Sequence, residues 1–252
     1  MKKTTQLFLM TLLLCTSSLH AEDNLPPPFE ASFKIFRKGA EVGEMHRSLS
    51  QLDNGEFNYR SETNSTGLVS FFYKLHILEE SHWHLLDQLL QPLDYSYKRI
   101  KKKKERHKET VFDWSKNQAY SVDNGKNSTL DLKPGISDKL LYQIEIMRDL
   151  EMGHTPKTYT VLDGTKIKTY HFNSLGEESL DTPIGQFNTV KLVRQNSGEK
   201  EKSILWCASA LHYLPIKVEN TDENGSVTTV MINQLSGLTQ AQENHSSTEL
   251  SE

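Results

Sequence analysis

The sequence predicts a mainly β fold: a single domain of antiparallel strands forming a strongly curved sheet or half-open barrel, with one amphipathic helix at about residues 137–151 packed on it. Three features lead there. Most of the chain alternates apolar and polar residues with a period of two, Asp/Asn-Gly turns separate the alternating runs, and one segment switches to a helical period. With 36% hydrophobic and 25% charged residues in 252, the chain has the make-up of a packed globular protein, not of a disordered or fibrous one.

The strands follow in order. Phe29 to Phe36 places apolar residues on alternate positions, and Asp53-Asn54-Gly55 then marks a hairpin turn, because Asn and Gly accept the positive φ angles that a tight right-twisted hairpin requires. Asp123-Asn124-Gly125, Asp163-Gly164 and Glu223-Asn224-Gly225 repeat that signal. The runs Tyr159 to Leu162, Lys166 to Phe172, Thr189 to Val193 and Val227 to Ile232 carry the β-branched and aromatic residues that suit a half-buried pleated surface. About a dozen strands in a meander are expected.

The helix breaks the pattern. From Ser137 onward, Leu140, Leu141, Ile144, Met147 and Leu150 recur at three and four residues, with Ser137 as the expected N-cap, Asp138 in the first turn and Gly153 beyond the end. A lone helix in an antiparallel meander is expected to cover an open mouth or one face of the sheet. No linker or fixed-period repeat interrupts the stretch from Glu30 to Leu238, so residues 22–238 are expected to form one domain. The polar tail 239–252 is expected to be disordered.

Residues 1–21 have the make-up of a secretory signal peptide. Lys2 and Lys3 precede the apolar run Leu7 to Leu14, and Thr16-Ser17-Ser18 leads to Ala21. The apolar run is too short to span a bilayer, and export to the periplasm is the expectation. Leu14 before Cys15 is the wrong size for a lipoprotein signal, so anchoring through Cys15 is not expected. With Lys2 and Lys3 removed from 29 basic residues against 33 acidic ones, the remainder carries −6, and Cys207 is its one thiol. A lone thiol makes no internal disulfide, so stability must come from packing.

Two clusters could carry chemistry. Lys98, Arg99, Lys101, Lys102, Lys103, Lys104, Arg106 and Lys108 form a dense basic run on an acidic chain, with Lys101, Lys102, Lys103, Lys104 and Arg106 as the candidate contacts to an anionic partner or membrane surface. The plainer reading is a solvated hairpin, or an edge strand guarded by lysine. No aromatic residues interleave with the run, so nucleic acid is not an expected partner. His76, Glu80, His82 and His84 share one face of a continuous strand from Leu75 to Leu85, and His82 and His84 could bind Zn²⁺, although a wet sheet face is the plainer reading.

Catalytic signals are thin. Ser197 and Lys200 match a Ser-x-x-Lys spacing but fall in a polar turn, Cys207 lies in an apolar strand as an inert thiol would, and phosphate-loop and zinc-protease motifs are absent. Neither an enzyme nor a cofactor is expected.

Several segments resemble a known family. Ser179 to Lys191, containing Asp181-Thr182-Pro183-Ile184-Gly185, then Trp206-Cys207-Ala208 and Tyr213-Leu214-Pro215-Ile216-Lys217-Val218, are similar to the bacterial exported family called domain of unknown function 3108. Phe112-Asp113-Trp114 and Ser137-Asp138 with Leu140-Leu141-Tyr142-Gln143 fit it too, whereas Cys207 stands where an aliphatic residue is more usual. The resemblance implies an envelope protein of antiparallel strands and supplies no site residues. Two functions follow as expectations: a carrier that binds an apolar or lipid-like ligand in a β-sheet cleft, by analogy with lipoprotein-localisation carriers, or a scaffold that holds a protein or polyanionic partner through the basic strand.

Overall fold

The structure, a computed structural model, describes residues 24–72, 74–195 and 200–238. The expected leader with Cys15, the tail 239–252 and Ser197 lie outside the described residues. The first half of the chain runs β1 (Phe29–Arg37), β2 (Ala40–Gln51), β3 (Phe57–Ser65), a short helix α1 (Gly67–Phe72), β4 (Leu75–Leu86), β5 (Leu89–Lys101), β6 (Lys104–Asp113), β7 (Gln118–Asp123) and β8 (Lys126–Asp131). The second half runs β9 (Ile136–Asp138), α2 (Tyr142–Glu151), β10 (Thr158–Asp163), β11 (Lys166–Thr182), β12 (Gly185–Arg194), β13 (Lys202–Ala208), β14 (Leu214–Thr221) and β15 (Val227–Ser236).

All of these strands form one 15-stranded sheet, mainly β as expected but with more strands than the expected dozen. Two meanders, β1 to β8 and β10 to β15, meet where β1 pairs antiparallel with β15, and β9 lies parallel to β10 at one edge. The expected Gly turns connect β2–β3, β7–β8, β10–β11 and β14–β15. At β7–β8, Asn124 and Gly125 have φ of 50° and 82°, the left-handed pair such a hairpin needs. The β4–β5 turn lacks that signature. Asp87 and Gln88 adopt φ of 49° and 63° without a glycine, and the buried Arg148 guanidinium of α2 holds them by donating to the Gln88 main-chain oxygen at 2.8 Å and to its Oε1 at 2.5 Å.

The sheet rolls until its β9–β10 edge packs inside β4 to β7. Ser81 Oγ donates to Asp138 Oδ2 at 2.5 Å, Lys108 Nζ meets Asp163 Oδ1 at 2.5 Å, and Ser121 Oγ donates to the Gly164 carbonyl at 2.6 Å. Alternation fills the inside with apolar residues: Phe29, Ala31 and Phe33 of β1, Phe57 and Tyr59 of β3, Trp83 of β4 and Tyr95 of β5 are buried. Phe57 and Trp83 stack with ring centroids 4.4 Å apart.

Helix α2 lies within this roll and is buried on more than one side. Ile144 and Met147 join Leu140 and Leu141 in the larger core cluster, while Ile146 and Leu150 pack with Tyr159, Val161, Phe172 and Leu205 in a second. Each such side chain taken from water contributes about 1.5–3 kcal/mol. The expected cap is corrected. Ser137 is a strand residue of β9, and Asp138 turns the chain into the helix, its Oδ1 accepting the Leu140 and Leu141 N–H groups at 2.7 and 2.8 Å. The carboxylate has two acceptor oxygens, so it serves this turn and Ser81 together.

Because neighbouring strands are antiparallel, their connections alternate between two ends of the roll. The β4–β5 turn at Gln88 and the β13–β14 turn at His212 lie at the α2 end, where His212 Nδ1 stands 3.6 Å from Glu151. The β1–β2, β3–β4, β5–β6, β7–β8, β10–β11 and β14–β15 connections lie at the opposite end, tied by Arg37 to Asp222 at 2.8 Å and by Ser121 to Gly164.

Candidate functional site

The basic run folds into the β5–β6 hairpin. Lys101 ends β5, Lys102 and Lys103 form the turn, and Lys104 opens β6, with Lys101 and Lys104 paired in register. Both strands lie inside the sheet between β4 and β7, so the lysines are not guards on a free edge. The hairpin absorbs part of the charge. Lys98 Nζ is 3.1 Å from Glu105, Arg106 holds Asp123 through Nη2 at 2.9 Å, and Lys108 is buried against Asp163. Lys102, Lys103 and Lys104 remain exposed, and among the described residues no carboxylate is within ion-pair distance of them. The Lys102 N–H donates to the Lys74 carbonyl at 2.8 Å, which ties the tip to the segment after α1. In α1, Phe71 and Phe72 are each 82% exposed. Sequence reasoning assigned that segment no role. The adjacent pair Phe71-Phe72 beside Ser70 was the available signal.

The histidines take the outer face of β4 and find separate partners. His76 Nε2 lies 2.9 Å from Glu62, and His82 stands between Glu56 at 2.7 Å and Asp94 at 3.1 Å. His84 Nε2 lies 3.1 Å from Gln91 Oε1. Among the described residues no three His, Cys, Asp or Glu side chains form a group that could hold a metal ion. A groove of 520 Å³ on the same outer surface, lined by Ser32, His46, Arg60, Glu62 and Gln234, is polar and open.

The segments that carry the resemblance have structural work of their own. Trp206 lies between two ammonium groups, Lys191 at 4.8 Å and Lys217 at 4.2 Å from the ring centre, and its Nε1 donates to Glu178 at 2.5 Å. Trp114 Nε1 donates to the Pro92 carbonyl at 2.8 Å, and Asp113 accepts from Ser115 and Lys116 to close the β6–β7 turn. Residues 29–232 match the family described as "Protein of unknown function (DUF3108)". The chain belongs to that family. No curated protein matches it. Among solved structures, the DUF3108 chain is similar to a β-barrel-like protein of domain of unknown function DUF1849 from Brucella abortus, with a TM-score of 0.56 at 10% identity over 84% of this chain and 98% of that one. It also matches MucB at 11% identity and a TM-score of 0.34, over 88% of this chain and 57% of that one. The first likeness is one of fold: a barrel-like β protein.

Inside the DUF3108 roll, ionisable groups are strongly displaced. Burial would raise the Asp163 carboxyl, but Lys108 and Lys168 hold it well below the usual carboxylate range. Burial pushes Asp138 up to about 6 against the hydrogen bonds from Ser81 and the α2 turn, and it pushes Glu145 of α2 up to about 8. The buried Cys207 thiol rises to about 12, so it is protonated at neutral pH and a poor nucleophile. Asp138 is met by Ser81 and the chain entering α2, and Asp163 by Lys108 and Lys168. Among the described residues no helix is long and apolar enough to cross a membrane.

Proposed function

We propose that this DUF3108 chain is a non-enzymatic binding protein of the bacterial cell envelope, exported to the periplasm, that engages an anionic partner through the tip of the β5–β6 hairpin. The observation that carries this reading is the division of the basic run: Lys98, Arg106 and Lys108 are held by carboxylates, whereas Lys102, Lys103 and Lys104 project without one. Fields from such clustered charges attract polyanions and weaken with salt. Export rests on the Lys2 to Ala21 leader pattern.

The carrier reading, with an apolar or lipid-like ligand inside the sheet, has less support. Leu140, Leu141, Ile144 and Met147, with Tyr59, Trp83 and Tyr95, fill the concave space near α2 where that ligand was expected.

Polyphosphate, a soluble polyanion, provides the test. The purified protein is expected to bind it with an affinity that falls as salt rises, and the variant K102E/K103E/K104E is expected to lose about 100-fold or more at low salt, on the basis of roughly fivefold per charge. An unchanged affinity in that variant, with an unchanged melting temperature, would remove the lysine tip as the binding element.

A further inference from the structure

Next to the lysine tip, the structure exposes two aromatic rings that no fold requirement explains. Phe71 and Phe72 in α1 are each 82% exposed, the highest exposures among the large hydrophobic side chains described. Phe72 precedes Lys74 by two residues, so their Cα atoms lie within about 8 Å of each other. The Lys74 carbonyl accepts the Lys102 N–H at 2.8 Å, and Leu75 pairs in register with Lys101. The two phenylalanines, Lys74 and the Lys102 to Lys104 turn are therefore one contiguous patch. Glu105, the acid nearest in sequence, is paired with Lys98.

We infer that this patch docks the protein on an anionic phospholipid bilayer; the inference rests on the lysine-tip reading above and names its partner. The chemistry is that of an interfacial anchor. Phe rings gain by entering the boundary between headgroups and acyl chains, while Lys side chains beside them remain at the level of the phosphates. A soluble polyanion would use the lysines and leave the rings in water. A bilayer uses both, and the rings are what tip the choice.

Docking also sets an orientation. The patch belongs to the β3–β4 and β5–β6 connections, at the end of the roll opposite α2, so that end faces the membrane and α2 points away. The β10–β11 turn at the same end adds Lys166 and the exposed Ile167, which extend the same mixture of cation and apolar side chain.

The experiment compares three proteins, purified as the cell processes them, by co-sedimentation with vesicles. These are the wild type, F71S/F72S and K102E/K103E/K104E; the vesicles are phosphatidylcholine alone or mixed with phosphatidylglycerol, and polyphosphate serves as the soluble control. The wild type is expected to bind the phosphatidylglycerol vesicles and not the phosphatidylcholine ones. F71S/F72S is expected to lose about tenfold or more in vesicle affinity and to keep its polyphosphate affinity, whereas the lysine variant loses both. All the substituted side chains are exposed, and equal melting temperatures confirm that the variants fold. If F71S/F72S binds vesicles as the wild type does, or if the wild type binds polyphosphate but no vesicle, the bilayer is overturned and the lysine reading stands. Binding to neither overturns both. A wild-type dimer that F71S/F72S converts to a monomer in sedimentation would make a second copy the occupant and overturn the bilayer as well.

Discussion

At the scale of single residues, the interior is held by a few charges whose burial has measurable consequences. Lys108 and Asp163 have side chains only 9% and 10% exposed, and Asp163 is the carboxylate that compensates the buried Lys108 ammonium, while Asp163 itself also meets Lys168 at 2.8 Å. Asp163→Asn is expected to cost roughly 3–5 kcal/mol in urea unfolding, because it leaves the Lys108 ammonium buried without its carboxylate. Glu145 acts in the opposite sense. Its proton is held more tightly in the folded chain, up to about 8, than in the unfolded chain at about 4.3, so its contribution is full below the unfolded value and is lost as pH rises through 8. Asp138, raised to about 6, adds in the same direction over the lower part of that window. The melting temperature is therefore expected to rise as pH falls from 8 to 5. Glu145→Gln is expected to raise it at pH 8 and flatten the slope, which thermal unfolding followed by circular dichroism across that range would check. On the outer face, His82 meets Glu56 and Asp94 while His84 meets Gln91, so the two imidazoles have different neighbours.

At the scale of elements, close approach matters as much as propensity. Gly43 of β2 is buried opposite β3, and a Cβ there would stand 2.6 Å from the Asn64 carbonyl oxygen. That oxygen is backbone and has no rotamer to yield. Gly43→Ala is expected to cost about 1–3 kcal/mol by forcing β2 and β3 apart, read as a lower melting temperature. The strands were legible because alternation and Asn-Gly turns are local signals, and the β7–β8 and β14–β15 hairpins sit where those signals placed them. The β4–β5 turn was not legible. Asp87 and Gln88 pay for their left-handed conformation with contacts from Arg148, 60 residues away. The helix was legible from its period, but its start was not, since Asp138 turns the chain toward it from within a strand whose existence depends on pairing with β10.

At the scale of the whole molecule, the two meanders share one interior. The first contributes Trp83, Tyr95 and Phe112, the second Leu162, Leu214 and Ile216, and the segment that runs from β9 into α2 joins the same cluster with Leu140, Leu141 and Ile144. Residues 24–132 expressed alone are expected to show no cooperative thermal transition and to bind a hydrophobic dye; a sharp two-state transition would show that the first meander folds without the second. The β class, the helix and the density of basic charge between Lys98 and Lys108 were set by composition and short-range pattern, because strand alternation, turn chemistry and charge runs are properties of neighbouring residues. Which of those charges are spent and which are free was decided only when the sheet rolled. Asp163 reaches Lys108 from 55 positions away, Asp123 reaches Arg106 across a strand pair, and the Lys74 carbonyl ties the segment that follows Phe71 and Phe72 to Lys102. Contacts between residues far apart in the chain depend on register and curvature, and no local pattern encodes either.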